Sequence, residues 1–347
     1  MSTNNVSHPG LRYDNQYRYV LKGPRDLVKE TIQSHELVIT DHEPIVAKTL
    51  FSTISKGTEL SAWKGLPPIR AGIKKYPRLM GYCNLAQIVE VDCKKTSFRV
   101  GDLILTGREH CTAFRTSDDK IFLKVSPGEF ADYEVFSGLY LAHIAYDSLQ
   151  SADYRPGHNV AIIGLGVLGY LAASLVKQFG GIPVCYTSRP AISEHIEIPG
   201  IRLASKDSES IGFGEEKFDI VINTSDSWDD YKLSLVLARK GGKIVNLGFP
   251  GRGQKTPFWN PLEPRFLYTK QLTIVYSGYT PDLECEPIDI RFSKKRNLKY
   301  LANLVKSGNN FLDFIYKDSA SAAELQGVYS RLESIKDFGT VMLKWKD

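Results

Sequence analysis

The sequence contains no apolar run approaching the ~20 residues that cross a bilayer. Its start, MSTNNVSHPGLRYDNQ, is polar and has no apolar signal-peptide core. These absences make a soluble, cytoplasmic protein without a membrane partner the expectation. Cysteine is scarce: Cys83, Cys93, Cys111, Cys185 and Cys285 are the five in 347 residues. They are odd in number, scattered and never spaced C-x-x-C, which argues against a disulfide framework and a closely spaced tetrathiolate zinc site. Reduced thiols are expected. A strong charge of one sign is also lacking. The 44 Lys and Arg against 39 Asp and Glu leave a net charge of +5. With no basic–aromatic stripe beside it, that excess points to no nucleic-acid partner. Internal repeats and low-complexity tracts are absent. What remains is 42% hydrophobic and 24% charged, the balance of a globular chain. At roughly 100–200 residues per domain, two domains are expected.

The first half is β-rich. YRYVLK, HELVIT, PIVAKTLFST, LAQIVEV and GDLILTG are short β-prone runs separated by turn residues. Around Tyr140 the period changes, and LYLAHIAYDSLQSA predicts a helix ending before Arg155-Pro156-Gly157. From Asn159 strands and helices alternate. NVAIIG, IPVCYT, IRLAS, FDIVINT, KIVNLG and LTIVYSG are six expected strands. VLGYLAASLVKQFG and WDDYKLSLVLARKGG are expected helices, each stopped by a glycine pair. Such alternation implies βαβ units and a buried parallel sheet. Beyond Gly278 come the helix KKRNLKYLANLVKSG, the β-like FIYKD, another helix and the strand TVMLKWK.

The strongest motif is Gly164-Leu165-Gly166-Val167-Leu168-Gly169, which follows the strand NVAII and opens a helix. Gly164 permits the tight turn, Gly166 lets backbone approach a pyrophosphate, and Gly169 lets helix and strand pack closely. The helix N-terminus then offers free N–H groups to the anion. An ordinary Gly-rich turn is the competing reading. At the end of the next strand, an acidic residue would bind the ribose of NAD, whereas a basic one accommodates the 2′-phosphate of NADP. This chain has Tyr186-Thr187-Ser188-Arg189-Pro190, with no acid in reach. Ser188 can donate a hydrogen bond and Arg189 can pair with a phosphate, unless it is simply a solvated arginine. NADP(H) is therefore the expected cofactor.

A β-rich half, a dinucleotide fold and a tail returning to β together resemble the medium-chain dehydrogenase/reductase superfamily. RPGHNVAIIGLG, LARKGGKIVNLGFPG and SAAELQGVYSRLESIKDFGTVMLKW carry the likeness, beside the glycine motif. ISKGTELSAWKG followed by LMGY is most similar to the branch with bacteriochlorophyllide dehydrogenase and threonine-dehydrogenase-like enzymes. The resemblance implies an α/β architecture, a doubly wound Rossmann sheet plus a GroES-like β-barrel catalytic domain. Residues 1–145 would form the catalytic domain, 146–290 the NADP-binding domain, and 291–347 a segment returning to the first. LTIVYS would be an edge strand, whose pairing would make a homodimer.

The departures from the family are informative. Zinc members carry Cys where this chain has Ser55, and Gly-His-Glu where it has Gly81-Tyr82-Cys83. The four-cysteine excursion for a structural zinc is missing. A catalytic zinc needs three protein ligands of Cys, His or carboxylate type, so a zinc-independent branch, with no metal site, is inferred. Cys83, His110 and Cys111 match no zinc spacing. The resemblance places Ser55 and Tyr82 beside the nicotinamide, with Tyr82 as donor to a substrate oxygen and Ser55 in support. His110 is a third catalytic candidate, against a structural histidine. On the cofactor side the resemblance points to Asn223 and Thr224 at the ribose. Leu247, Gly248 and Phe249, with Ser277 and Gly278, would flank the nicotinamide.

From Leu60 to Val89 no acidic residue occurs, but Lys64, Arg70, Lys74, Lys75 and Arg78 do. That stretch either steers an anionic substrate or is a solvated basic loop. The expected activity is zinc-independent, NADP(H)-dependent hydride transfer to or from a small carbonyl/alcohol pair. Reduction of a carbonyl-conjugated double bond (enone or enoyl) and catalytically silent NADPH binding are the alternatives.

Overall fold

The structure, a computed structural model, describes residues 14–68, 74–125, 133–188, 201–204, 206, 218–278, 280–281, 292–309, 311–334 and 339–345. Arg70, Arg189 and Cys285 lie outside the described residues.

The first half forms two antiparallel systems. A three-stranded sheet has the order β2 (Asp26–Thr31), β1 (Tyr17–Gly23), β4 (Arg78–Leu79). The larger sheet is built on β3 (Ile45–Thr53), which pairs with β5 (Asn84–Val91), and near its start with β7 (Ala113–Thr116). β6 (Leu103–Thr106) and β8 (Ile121–Val125) continue it on one side. The tail completes the other side. β15 (Tyr316–Ser321) pairs with β16 (Thr340–Lys344), and β16 pairs antiparallel with Phe51–Thr53. The last strand therefore braces the chain just before Ser55. Helix α1 (Lys56–Trp63) starts there, where Ser55 is its N-cap.

The second system is a parallel sheet of β9 (Val160–Ile163), β10 (Val184–Tyr186), β11 (Arg202–Ala204), β12 (Phe218–Asn223), β13 (Ala238–Asn246) and β14 (Thr273–Tyr276). Its order β11-β10-β9-β12-β13-β14 is doubly wound, and the order reverses beside β9. β9 is buried at all four positions, as continuous apolar strands covered on both faces require. All six expected strands are present, with β14 at an edge among the described residues.

Helix α2 (Leu139–Ser151) is the spine between the two systems. It packs on α3 (Val167–Gln178) and α6 (Lys294–Lys306), and one apolar cluster joins Leu50 and Leu85 of the barrel through Leu141 and Leu149 to Ile162. A division at residue 145 therefore falls inside a helix. Helix α2 serves both domains, because its apolar residues face both.

Two local expectations are corrected. HELVIT is no strand. Ser34–Leu37 is a short 3-10 turn, in which Glu36 turns back to accept the Gln33 N–H at 2.9 Å while Arg18 holds its other oxygen. Local side-chain bonds outcompete β-propensity there. The helix WDDYKLSLVL ends at Leu237 as α4 (Trp228–Leu237), and ARKGG belongs to β13 rather than to the helix. Ala238 already pairs with Phe218 in the parallel sheet, and ladder bonds replace the last helical turn. Helices α5 (Pro264–Lys270) and α7 (Leu325–Ser334) complete the set used below. Among the described residues, no helix is long and apolar enough to cross a membrane.

Candidate active site

A cavity of about 410 Å³ lies where the ends of the parallel strands face α1. Its parallel-sheet wall begins with the glycine turn. Gly164 has φ +87°, the left-handed region that only glycine adopts without strain. A Cβ on Gly164 would lie 2.7 Å from Thr224 Oγ1, which donates to the Ile163 and Gly164 carbonyls at 3.0 and 2.8 Å. A Cβ on Gly169 would lie 1.9 Å from the Gly164 carbonyl oxygen. At Gly166, by contrast, a Cβ would meet nothing within 4 Å, and the residue borders the cavity. The turn is thus tight behind and open in front. Gly166 caps α3 without any side-chain bond, so the first amides of α3 stay available to an anion. Val167 and Leu168 border the cavity, whereas Leu165 is buried in the core and does not. This cradle fits a dinucleotide pyrophosphate.

The later strand ends divide. Thr224, Leu247, Gly248 and Phe249 border the cavity. Gly248 is required by contact, since a Cβ would sit 2.3 Å from the Ser225 carbonyl oxygen. Asn223 does not reach the cavity. It is fully buried, its amide donating to Asn246 at 3.1 Å while its oxygen accepts the Ser225 N–H at 3.0 Å, so it shapes the turn instead of touching a ribose. Ser277 and Gly278 are likewise outside the cavity lining and are held by the buried Asp147 of α2. Asp147 Oδ2 accepts from Ser277 Oγ at 2.6 Å and the Gly278 N–H at 3.0 Å. Ser188 is exposed at the end of β10, beside β9, while Arg189 lies outside the described residues.

Opposite the glycine turn stands the start of α1. Serine at an N-cap ordinarily spends its hydroxyl on the first-turn amides. Ser55 makes no such bond. Its hydroxyl is hydrogen-bonded to the Tyr82 phenol, which also donates to Thr58 Oγ1 at 3.4 Å. Ser55 and Thr58 border the cavity and Tyr82 does not, so Ser55 takes the forward position expected of Tyr82. Burial pushes the Tyr82 phenol far above its ordinary value, keeping it protonated. Its ring meets Tyr140 edge to face, with centroids 5.6 Å apart.

His110 lies beneath this pair, fully buried and away from the cavity lining. Its ring packs on Gly81, where a Cβ would lie 2.7 Å from the imidazole at φ +89°. Nδ1 is 2.9 Å from Ser52 Oγ, and Ser52 accepts the Trp345 indole N–H at 2.8 Å. Nε2 is 2.9 Å from Glu59 Oε2. The fully engaged imidazole reads as structural, not as a group that meets substrate. The Glu59 carboxyl is also buried. Burial by itself would raise it, but His110 and hydrogen bonds from Tyr329 and the Ser55 amide hold it below its ordinary 4.5.

Sequence reasoning missed Glu59, Asp226, Asp147 and Tyr329. Asp226 Oδ1 accepts the Phe249 N–H at 2.7 Å and so holds the loop after β13. A carboxylate following FDIVINT was its only signal. Nothing in the sequence pairs Tyr329 with Glu59, 270 positions away. Cys83, next to Tyr82, is buried with its thiol pushed well above its ordinary value. Among the described residues, no group of three or more His, Cys, Asp or Glu is placed to hold a metal ion. Lys56, Lys64 and Arg252 add positive charge to the cavity wall. Arg252 Nη2 also donates to the Pro67 carbonyl at 2.9 Å, joining the two walls.

No family model matches the chain. Alcohol dehydrogenase 13 of Catharanthus roseus is 26% identical over 236 residues, covering 56% of this chain and 64% of that protein. NADP-dependent alcohol dehydrogenase C 1 of Mycolicibacterium smegmatis is 28% identical over 153 residues, covering 42% of this chain and 43% of that protein. The chain thus matches less than two thirds of the length of either relative. Among solved structures, S. aureus TarJ in complex with NADPH superposes with a TM-score of 0.72 at 14% identity, covering 96% of this chain and 99% of that one. That likeness establishes the fold as a Rossmann sheet joined to a GroES-like barrel.

Proposed function

We propose that this chain is an NADP(H)-dependent oxidoreductase, acting without zinc on a small-molecule carbonyl/alcohol pair. One observation carries the reading: a single cavity joins the open face of the Gly164–Gly169 turn to the Ser55 hydroxyl, which Tyr82 supports. The names of the relatives, both alcohol dehydrogenases and one NADP-dependent, agree with it.

The glycine turn and the α3 amides would hold the pyrophosphate, with Thr224 and Leu247–Phe249 along the ribose and nicotinamide. When bound, NADPH supplies the hydride. The protein's share is to orient the substrate and stabilise its oxygen. Ser55 donates a hydrogen bond to that oxygen. The Tyr82 phenol, held protonated by burial, shares a hydrogen bond with Ser55 Oγ and orients that hydroxyl, and the proton that completes the alcohol comes from water entering the cavity. The zinc-independent part rests on the donor set. Ser55 and Tyr82 bond to each other, and the Glu59 carboxylate is already engaged by His110, Tyr329 and the Ser55 amide. Lys56, Lys64 and Arg252 on the wall favour an anionic substrate.

The test is NADPH binding followed by turnover on a panel of aldehydes, ketones and enones. An alcohol product supports the reading. A saturated ketone would assign double-bond reduction instead, and cofactor binding without any oxidation would make the chain a silent NADPH-binding protein.

A further inference from the structure

We propose that Tyr329, on α7 of the returning tail, is a positioning residue for Ser55, acting through Glu59. The inference rests on the reading that Ser55 meets the substrate.

Glu59 stands at the fourth position of α1, one turn after Ser55. Its Oε1 accepts the Ser55 N–H at 2.6 Å. A carboxylate can only accept, so both groups on Oε2 donate to it: His110 through Nε2–H and Tyr329 through its hydroxyl. The carboxylate is thus anchored on one oxygen by two elements remote in sequence, and it fixes the N-cap backbone with the other. The Glu59 bond fixes the backbone of Ser55, and the Ser55 hydroxyl, which makes no bond to the first amides of α1, is held by Tyr82 behind the cavity wall.

Tyr329 is fully buried and its ring lies 5.4 Å from that of Trp63, at the far end of α1. The tail therefore grips α1 at both ends. Tyr82 and Cys83 also face the Glu59 charge, and Arg78 faces the Tyr329 hydroxyl. The neutral phenol and thiol carry no charge that competes for the carboxylate. If Tyr329 loses its hydroxyl, Glu59 loses one of the bonds that hold its carboxyl low, and the carboxyl titrates at higher pH. Protonation then makes one oxygen a donor toward a neighbour that also donates, and the Ser55 anchor loosens.

The experiment compares wild type with Tyr329→Phe and Tyr19→Phe. Tyr19 donates its hydroxyl to the Ala322 carbonyl at 2.6 Å, so it anchors the same tail without touching Glu59. For Tyr329→Phe, kcat should fall about tenfold at neutral pH, with KM and the NADPH Kd within about twofold. Its acid limb should move up by about one pH unit. The Ser55 amide should exchange with deuterium at least about tenfold faster. Tyr19→Phe should lower Tm but leave the acid limb and Ser55 exchange unchanged. An unmoved acid limb and unchanged Ser55 exchange in Tyr329→Phe would overturn the proposal, as would equal effects in Tyr19→Phe. If wild type turns over no substrate, the functional reading fails, and the exchange comparison still decides the coupling.

Discussion

The Ser55 hydroxyl and the Tyr82 phenol, 27 residues apart in sequence, share a hydrogen bond at the wall of the cavity. In the proposed reading Ser55 meets the substrate oxygen and Tyr82 holds the Ser55 hydroxyl in place. Ser55→Ala should therefore lower turnover about 10²–10³-fold, the usual cost of removing one oxyanion donor. Tyr82→Phe should cost at least about tenfold, with NADPH affinity unchanged. Steady-state kinetics with cofactor titration measure both, and full activity in Ser55→Ala would remove the pair from the mechanism. Activity should persist in chelator, with no stoichiometric zinc by metal analysis. One zinc per chain would point to Cys83, His110 or Cys111.

The glycine turn separates binding from folding. Gly166 has φ −86°, ordinary for any residue, and faces open space. Gly166→Ala should fold with an unchanged Tm yet weaken NADPH at least about tenfold, because its methyl fills the approach to the pyrophosphate. Gly169→Ala places its methyl against the Gly164 carbonyl and should lower Tm by several degrees. Calorimetry and fluorescence titration distinguish the two. Unweakened NADPH binding in Gly166→Ala would show that the anion sits elsewhere.

Cofactor choice should follow the end of β10. A charge-assisted bond from Arg189 to a 2′-phosphate contributes about 1.5–3 kcal/mol. At 1.4 kcal/mol per tenfold, NADPH should be preferred to NADH by about ten- to a hundredfold. Arg189→Ala should remove most of that preference and spare NADH. Equal dissociation constants in wild type would refute the assignment.

Assembly should follow the open edge of the parallel sheet. Among the described residues β14 pairs on one side only, and Tyr276 on it is 60% exposed. Unpaired edges invite a second strand. Sedimentation should find a homodimer at micromolar concentration, and a proline at Val275 should shift it to monomer. A wild-type monomer would reject the pairing without touching the fold.

The fold was legible because its signals are local. The apolar runs NVAII, FDIVIN and KIVN, and the glycines between strand and helix, report a parallel sheet and its phosphate turn within a few residues each. Gly164 turns at positive φ and Gly169 packs against the Gly164 carbonyl, as their spacing implied, since steric need at a turn is a property of the turn itself. Side-chain partners are not local. Asn223 could be placed at the end of β12 by sequence, but only its pairing with Asn246 on the neighbouring strand turns it inward. Ser277 was placed at the end of β14, but Asp147, 130 positions earlier, decides where its hydroxyl goes. His110 carried no local sign of burial. Tertiary packing sets it on Gly81 and between Ser52 and Glu59, so a candidate for chemistry becomes a support beneath it. Sequence by itself determined most of the elements and the glycine turn, though not HELVIT or the end of α4. The tertiary structure decided which polar groups face the cavity, because a buried donor or acceptor must find its partner wherever the fold brings one.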